Sequence, residues 1–430
     1  MIENFEQALE WLTTLHRFGI KLGLEQTRKL CDLCGSPDRD LRFVHLAGTN
    51  GKGSTGAMLE RALFENNAIS GFYSSPHLLT ACERIRINGR AVSEDEFAAA
   101  AETVRQASVI MQQDSMSITY FEATTVMAML IFKAHKCDWV VWETGMGGRL
   151  DSTNIVTPQI SVITNIALDH EKFLGSTIKD IAGEKAGIVK AGVPVVCGDM
   201  PTEALEVIRE RAGKVNAPFY VAAELMKPGR AAIQKVNYQS FECGGSTVEL
   251  TMNGVMQQRN ATLAGAVLEI LGLWNAQSRN ALKNTRWPAR IEVLENGRII
   301  LDGGHNPDGL QALVETLKVL YPGRKFRWIF GAFADKDYSS GLKIIAPLAE
   351  ELFAVGFAEE SRLSAAREDV CKTAAACMIS KTSPVDDLAG LLKNIKNGNA
   401  DLPVIIAGSL YLAGEVLNLL GAEERVINLH

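Results

Sequence analysis

At 430 residues the chain exceeds the length at which a single hydrophobic core stops growing, so two domains are expected, and 47% hydrophobic with 22% charged residues exclude a disordered or fibrous chain. A net charge of -6, with Lys and Arg scattered rather than gathered into a stripe, excludes nucleic acid as the main partner. Acidic residues inside MIENFEQALEWLTTLHRF exclude a signal peptide, and no apolar run approaches the roughly 18 residues of a membrane span, so the cytosol is the expected compartment.

Residues 5–34 read as two helices joined near Gly19 to Gly23. FVHLA (43–47) is a short apolar strand that runs into a glycine-rich loop, and a helix follows from about Ser54 to Asn66. ISGFYSS, a helix at 94–112, a helix from Phe121 to Ala134, CDWVVWE, ISVITNI, a helix near 177–190 and VPVVCG continue the alternation, which implies a parallel sheet. Between about 219 and 258, short alternating segments such as QSFECGG and STVELTMNG predict antiparallel hairpins appended to that sheet. A helix near 260–273 comes next. After the proline of TRWPARIEVLENGRII a fresh α/β series begins with RIILDGG, KFRWIFG, EELFAVG and PVIIAGS, which places a domain boundary near residue 287. The one close cysteine pair, Cys31 and Cys34, has no second pair at zinc-ribbon spacing, so reduced, packed thiols are expected rather than a metal or redox site.

AGTNGKGST (47–55) lies between a strand and a helix, where backbone N–H groups and the helix N-terminus can hold phosphates and Lys52 can meet the β and γ phosphates. It departs from the common P-loop pattern: two residues separate Gly48 from Gly51, and Gly53 stands between Lys52 and Ser54. The alternative is an ordinary glycine-rich turn. In WVVWETGMGGRLDSTN a strand ends in Glu143, passes three glycines and reaches Arg149 and Asp151. A carboxylate at such a strand end can bind Mg²⁺ or simply cap the next turn. ISVITNIALDHEKFLG puts Asp169 and His170 beyond another buried-type strand, where a lone histidine is more often structural than a ligand. AGEKAGIVKAG places Lys185 on a helix, where pairing with a neighbouring glutamate is the plain alternative to a functional role. In IILDGGHNPDG the strand, glycines and helix recur with Asp302, His305 and Asn306 at the turn; without GxGxxG spacing, it reads as a loop facing a ligand held between the domains.

In this order, LGLEQTR, HLAGTNGKGST, YSSPHL followed by ERIRING, TYFEATT, ETGMGGRLDSTN, IALDHEKFLG, AGEKAGI, RNATLAG, WPARIE, LDGGHNPDG and the ADKD of FGAFADKDY resemble the folylpolyglutamate synthase and dihydrofolate synthase branch of the Mur ligase family. The resemblance implies an α/β fold: a Mur-ligase-like P-loop ATPase domain with a mainly parallel sheet over 1–287, and a smaller Rossmann-like α/β C-terminal domain over 288–430, working as a monomer. It implies that Thr49, Asn50, Gly51, Lys52, Gly53 and Ser54 hold ATP phosphates, with Asn260, Arg290, Asp302 and His305 completing the nucleotide site. It also implies Mg²⁺ ligands at Ser75 and Glu143 for one ion, and at His170 for a second ion shared with Glu143 and a carbamylated Lys185; a monovalent cation is a further candidate. On size and chemistry alone Ser54 competes with Ser75 as the hydroxyl ligand.

By the same resemblance the pterin and benzoate end of the substrate lies against residues 20–22, including Leu22, against Thr119, Tyr120, Phe121 and Glu122, and against Leu150, Asp151 and Ser152. Phe121 equally suits a core position and Glu122 a structural cap. Thr144, Ala289 and Gly304 depart from the usual family pattern, and Ala289 bears on the backbone beside Arg290.

The implied reaction joins L-glutamate to the carboxylate of dihydropteroate or of a reduced folate. The carboxylate attacks the γ-phosphorus of ATP, and the glutamate amine displaces phosphate from the acyl phosphate, with Lys52, Glu143, His170 and Lys185 as the catalytic set. Both activities in one chain are expected; one alone, or another Mur-type acceptor such as a cell-wall nucleotide precursor, are the alternatives. The rival from another class is a partner-binding nucleotide switch, and no NKxD guanine-recognition sequence is present.

Overall fold

The computed structural model describes residues 1–15, 23–229, 231–357, 362–398 and 402–430. Helices α1 (Phe5–Leu15) and α2 (Glu25–Leu33) open the chain; most of their expected joint, and Leu22 with it, falls outside the described residues.

Eight strands form the first sheet: β1 (Phe43–Ala47), β2 (Ser70–Tyr73), β3 (Ile85–Ile87), β4 (Arg90–Ala91), β5 (Trp139–Glu143), β6 (Ile160–Ile163), β7 (Val195–Cys197) and β8 (Phe219–Val221). Their spatial order is β4-β3-β2-β5-β1-β6-β7-β8. Six run parallel; β3 and β4 turn back as an antiparallel edge. Helices cover both faces, which is why the central strands read as continuous apolar runs. Alternation along each strand divides their side chains. Phe43, Val140 and Trp142 enter the core shared with α4 (Glu94–Gln113) and α5 (Tyr120–Ala134). Val44, Leu46 and Val141 enter the opposite core, shared with α3 (Lys52–Glu65) and the helix Val255–Ile270. Trp142 is fully buried and its indole N–H donates to the Thr153 carbonyl at 3.0 Å, so burial there contributes on the order of 2–3 kcal/mol without an unpaired donor.

The segment 219–258 differs from expectation in two ways. Phe219–Val221 is not part of a hairpin but extends the large sheet, parallel to β7. β9 (Ala231–Lys235), β10 (Tyr238–Cys243) and β11 (Ser246–Leu250) are antiparallel as expected but form a separate three-stranded sheet. The reason is burial: Phe241, Cys243, Val248 and Leu250 share a core with the helix Val255–Ile270, so these strands cover that helix instead of lengthening the sheet.

A second sheet follows, with β12 (Glu292–Leu294), β13 (Ile299–Leu301), β14 (Phe326–Phe330), β15 (Ala349–Val355), β16 (Thr382–Val385) and β17 (Val404–Ala407) in the order β12-β13-β17-β14-β15-β16. All pair in parallel except β12. Ile300, Trp328 and Phe330 face one core, and Leu301, Ile329 and Ile406 the other. The expected fold class holds: a Mur-ligase-like α/β unit with a mainly parallel sheet and a smaller Rossmann-like α/β unit. Among the described residues no helix is long and apolar enough to cross a membrane.

Candidate active site

Strand register brings the chemistry together. Leu46 of β1 is level with Glu143 of β5, Ala47 with Ile163 of β6, and Tyr73 of β2 with Trp142 of β5. The residues just past these strands therefore meet at the carboxyl edge of the sheet, where open α/β sheets hold ligands. Asn165 fixes the glycine-rich loop: its carbonyl accepts from Thr49 N at 3.0 Å and its Oδ1 from Asn50 N at 2.7 Å. Gly51, at φ 85°, turns the loop into α3, and a Cβ there would stand 2.6 Å from Asn260 Oδ1. No Asp or Glu occupies the first turn of α3, so the positive end of its dipole is open to an anion. Ser54 is buried in that turn.

Lys52 Nζ donates to the Gly48 carbonyl at 2.9 Å and lies 3.9 Å from Glu143 Oε1. Glu143 is buried, and its Oε2 has no hydrogen-bond partner. Burial pushes its carboxyl up to about 7, against the opposing pull of Lys52 and Arg290. Lys185, on α7 (Ile178–Ala186) after the short α6 (Glu171–Leu174), is also buried and donates to Gly48 O at 3.0 Å. Burial, helped by the charge of Lys52, pushes its amine down to about 7. His170 is half-exposed, in a left-handed conformation at the start of α6, 4.0 Å from Asp169 Oδ1.

The second unit closes over this edge. Asp302 accepts from Ile291 N at 2.9 Å and Gly304 N at 2.8 Å, and Arg290 is held between the charges of Asp302 and Glu143. His305 Nδ1 lies 3.0 Å from the Gly303 carbonyl. Asn50 Nδ2 donates to Asp308 Oδ2 at 2.7 Å, and Asp169 accepts from Lys336 at 3.0 Å and from Asn306 at 3.2 Å, so the loop and its neighbour are bonded across the units.

Two cavities result. One, of about 410 Å³, is lined by the loop 48–54 and by Glu143, Lys185, Asn260, Arg290 and Asp302. The other, of about 540 Å³, is lined by Thr119, Tyr120, Phe121, Leu150, Asp151 and Ser152, and opposite them by Phe333, Lys336, Arg362 and Tyr411. Ser75, Gly145, His170, His305 and Leu410 line both. Glu122 stands behind this wall: Oε2 accepts from Thr119 N at 2.7 Å in a capping box, and Oε1 from Thr27 Oγ1 at 3.2 Å. Asp151 Oδ2 accepts from Met146 N at 2.8 Å and so holds the glycine loop after β5.

Arg84, Lys336 and Arg362 received no role from sequence, yet all three face the larger cavity. Arg84 lies within ERIRING and donates from Nε to His77 Nδ1 at 2.9 Å; its guanidinium sits 5.2 Å from the Tyr120 ring. Lys336 lies in ADKD, so both motifs held the signal without naming the ligand.

Among the described residues no three His, Cys, Asp or Glu side chains gather as a metal cage. The donor set is instead the orphan Glu143 oxygen beside Ser75, which suits Mg²⁺, an ion that keeps water and takes phosphate oxygens. Cys31 and Cys34 are both free thiols, Cys31 being buried against Met129.

The family profile for the Mur ligase middle domain matches residues 46–268, and that for the Mur ligase glutamate ligase domain matches residues 289–410. The chain is 33% identical to the dihydrofolate synthase/folylpolyglutamate synthase of Bacillus subtilis, over 97% of this chain and 99% of that protein. It superposes on the crystal structure of a Thermotoga maritima folylpolyglutamate synthase with a TM-score of 0.85 at 33% identity, covering 98% of each chain. It also superposes on an Escherichia coli protein solved in complex with DHPP and ADP, with a TM-score of 0.84 at 27% identity, covering 98% of this chain and 99% of that one. The chain therefore belongs to the Mur ligase family, in its folylpolyglutamate synthase and dihydrofolate synthase branch, and is an ATP-dependent amide-bond-forming ligase.

Proposed function

We propose that this chain adds L-glutamate both to dihydropteroate and to reduced folates, with residues 1–287 and 288–430 as its two domains. The carrying observation is the wall of Ser75, Gly145, His170 and His305 shared by the two cavities: a carboxylate entering from one side meets the γ-phosphate of a nucleotide held in the other. The complex of the Escherichia coli relative with DHPP and ADP supports the same pair of ligand classes.

In this reading Thr49 to Ser54 cradle the phosphates, Lys52 offsets charge as it moves toward the departing ADP, and Asn260, Arg290, Asp302 and His305 complete the nucleotide site. Mg²⁺, when bound, neutralises phosphate charge beside Ser75 and Glu143, with His170 and a carbamylated Lys185 as the candidate ligands of a second ion. Lys185 suits that modification because an amine near pKa 7 is largely neutral, hence nucleophilic toward CO₂, at physiological pH. Thr119 to Phe121 and Leu150 to Ser152 take the flat aromatic end of the acceptor. Arg84, Lys336 and Arg362 give the same cavity the positive charge that an incoming dicarboxylic amino acid requires. Docking of the second unit excludes water from the acyl phosphate.

The test is ADP release with product mass, using purified protein, ATP, Mg²⁺, L-glutamate and either dihydropteroate or tetrahydrofolate. A gain of one glutamate with both acceptors is expected. A gain with one alone leaves a single activity, and no gain with either sinks the reading.

A further inference from the structure

ERIRING carries a second arginine that lines neither of the two cavities described above but a small one of about 50 Å³ behind them, shared with Gly53, Ser75, Glu143 and Arg290. Arg86 on β3 is 2% exposed, and among the described residues no carboxylate lies within ion-pair distance of it. A buried guanidinium whose nearest carboxylates, Glu83 and Glu60, act only from beyond contact range is expensive, so its bonds must hold something the fold needs. Its Nη2 donates to the Val426 carbonyl at 2.6 Å and its Nη1 to the Ile427 carbonyl at 3.2 Å. Its Cζ lies 5.8 Å from the centre of the Trp287 ring.

Those contacts fall on the two places where the chain crosses between the units. Trp287 belongs to the first crossing and packs against Phe72 at 5.4 Å and on Gly53, at the root of the phosphate loop. Just beyond it Ala289 and Ile291 hold left-handed φ values of 54° and 49° on either side of Arg290. Such strain, worst for a β-branched residue, survives only where the surroundings dictate it. The second crossing is the segment 426–430. Val426 is buried in the core of the second unit, whereas Leu429 N donates to Gly89 O at 3.1 Å, Asn428 bridges Arg90, and His430 Nε2 meets the fully buried Glu60 of α3 at 3.0 Å. Arg425 bonds Glu292 at 3.1 Å and ties one crossing to the other. A cavity of about 580 Å³ between them, lined by Trp287, Pro288, Glu292, Arg425, Asn428 and Leu429, leaves both crossings room to turn.

We infer that Arg86 is a positioning residue for the ligase reaction: it pins both crossings at one point and so sets the two-stranded hinge on which Arg290, Asp302 and His305 are carried to the nucleotide. It lines neither of the two cavities assigned to nucleotide and acceptor. The inference rests on the ligase reading for its turnover readout only, since its distance readout needs no chemistry.

The experiment uses the full chain with a donor and an acceptor dye attached through unnatural amino acids at the exposed positions 214 and 372, one in each unit. Arg86→Met keeps the bulk of the side chain and removes the donors. The expected result is a distance distribution broadened toward longer values that ADP with Mg²⁺ does not narrow, a fall in kcat of roughly tenfold, and an intermediate result for Arg86→Lys. Deleting residues 428–430 frees the same crossing without touching Arg86, so it carries the test if Arg86→Met does not fold. Adding that deletion to Arg86→Met should broaden the distribution no further, because both act on one hinge. A wild-type distance distribution in Arg86→Met, or in the deletion when Arg86→Met does not fold, overturns the inference, whatever the turnover.

Discussion

Lys52 Nζ lies 3.9 Å from Glu143 Oε1, while the other carboxylate oxygen of Glu143 is buried with no hydrogen-bond partner. One oxygen thus faces the phosphate loop, and the other is left free for the Mg²⁺ of the proposed reading. Glu143→Gln keeps the shape and removes the charge. It should lower kcat by on the order of 10²-fold and abolish the gain in ADP affinity that Mg²⁺ gives the wild type, read by titration calorimetry.

The same residue sets a pH dependence. Its carboxyl is raised from 4.5 to about 7 in the folded protein, so between those values the folded state binds the extra proton. Stability from this group is full below pH 4.5 and falls as pH rises to 7. Chemical denaturation across that window should show a shallower decline for Glu143→Gln than for the wild type; parallel curves would refute this.

His45 works in the opposite direction. It is fully buried in β1, 3.0 Å from Thr153 Oγ1, and burial pushes its imidazole down from 6.5 to about 3. The unfolded chain therefore binds the extra proton between pH 6.5 and 3, and stability falls as pH falls through that range, by up to about 1.4 kcal/mol per pH unit. His45→Gln should flatten the acid limb of the stability profile by that slope.

Lys185 should carry one CO₂ per chain. Native mass spectrometry should show the adduct near neutral pH and its loss on acidification, and Lys185→Ala should lose activity. Full activity in that variant would remove the carbamate from the mechanism.

Gly53→Ala places two effects in competition. Alanine favours a helix over glycine by roughly 1 kcal/mol, but its Cβ would stand 2.6 Å from Trp287 Nε1, and overpacking costs about 1–3 kcal/mol. Net destabilisation is expected by thermal melting, together with weaker ADP binding. A Trp287→Leu change in the same chain should recover part of both.

Elements with strong local signals were readable from sequence. FVHLA corresponds to β1 residue for residue, and α4 and α5 begin where Ser93/Glu96 and Thr119/Glu122 form capping boxes. β3, β4 and β8 were not: unlike the equally short but wholly buried β7 and β13, these strands at the sheet's edges are not buried throughout and owe their existence to distant partners. In the site, Lys52 and Glu143 were legible because Glu143 ends β5 and Lys52 opens α3 just past the end of the adjacent β1, and adjacent strands end together. Arg84, Lys336 and Arg362 were not: they meet around one cavity only after the second unit docks, and no spacing in the chain records that.

The shared wall between the two cavities also has a pharmacological meaning. A single compound with a flat aromatic head and a phosphonate tail could thread from the 540 Å³ space into the 410 Å³ one past His170 and His305. Occupying one chamber would then hold the other group at millimolar effective concentration, so a tether of the right length should bind roughly 10² times or more tighter than either fragment. The shared lining across which a carboxylate is proposed to reach its phosphate is equally the place for an inhibitor that bridges both.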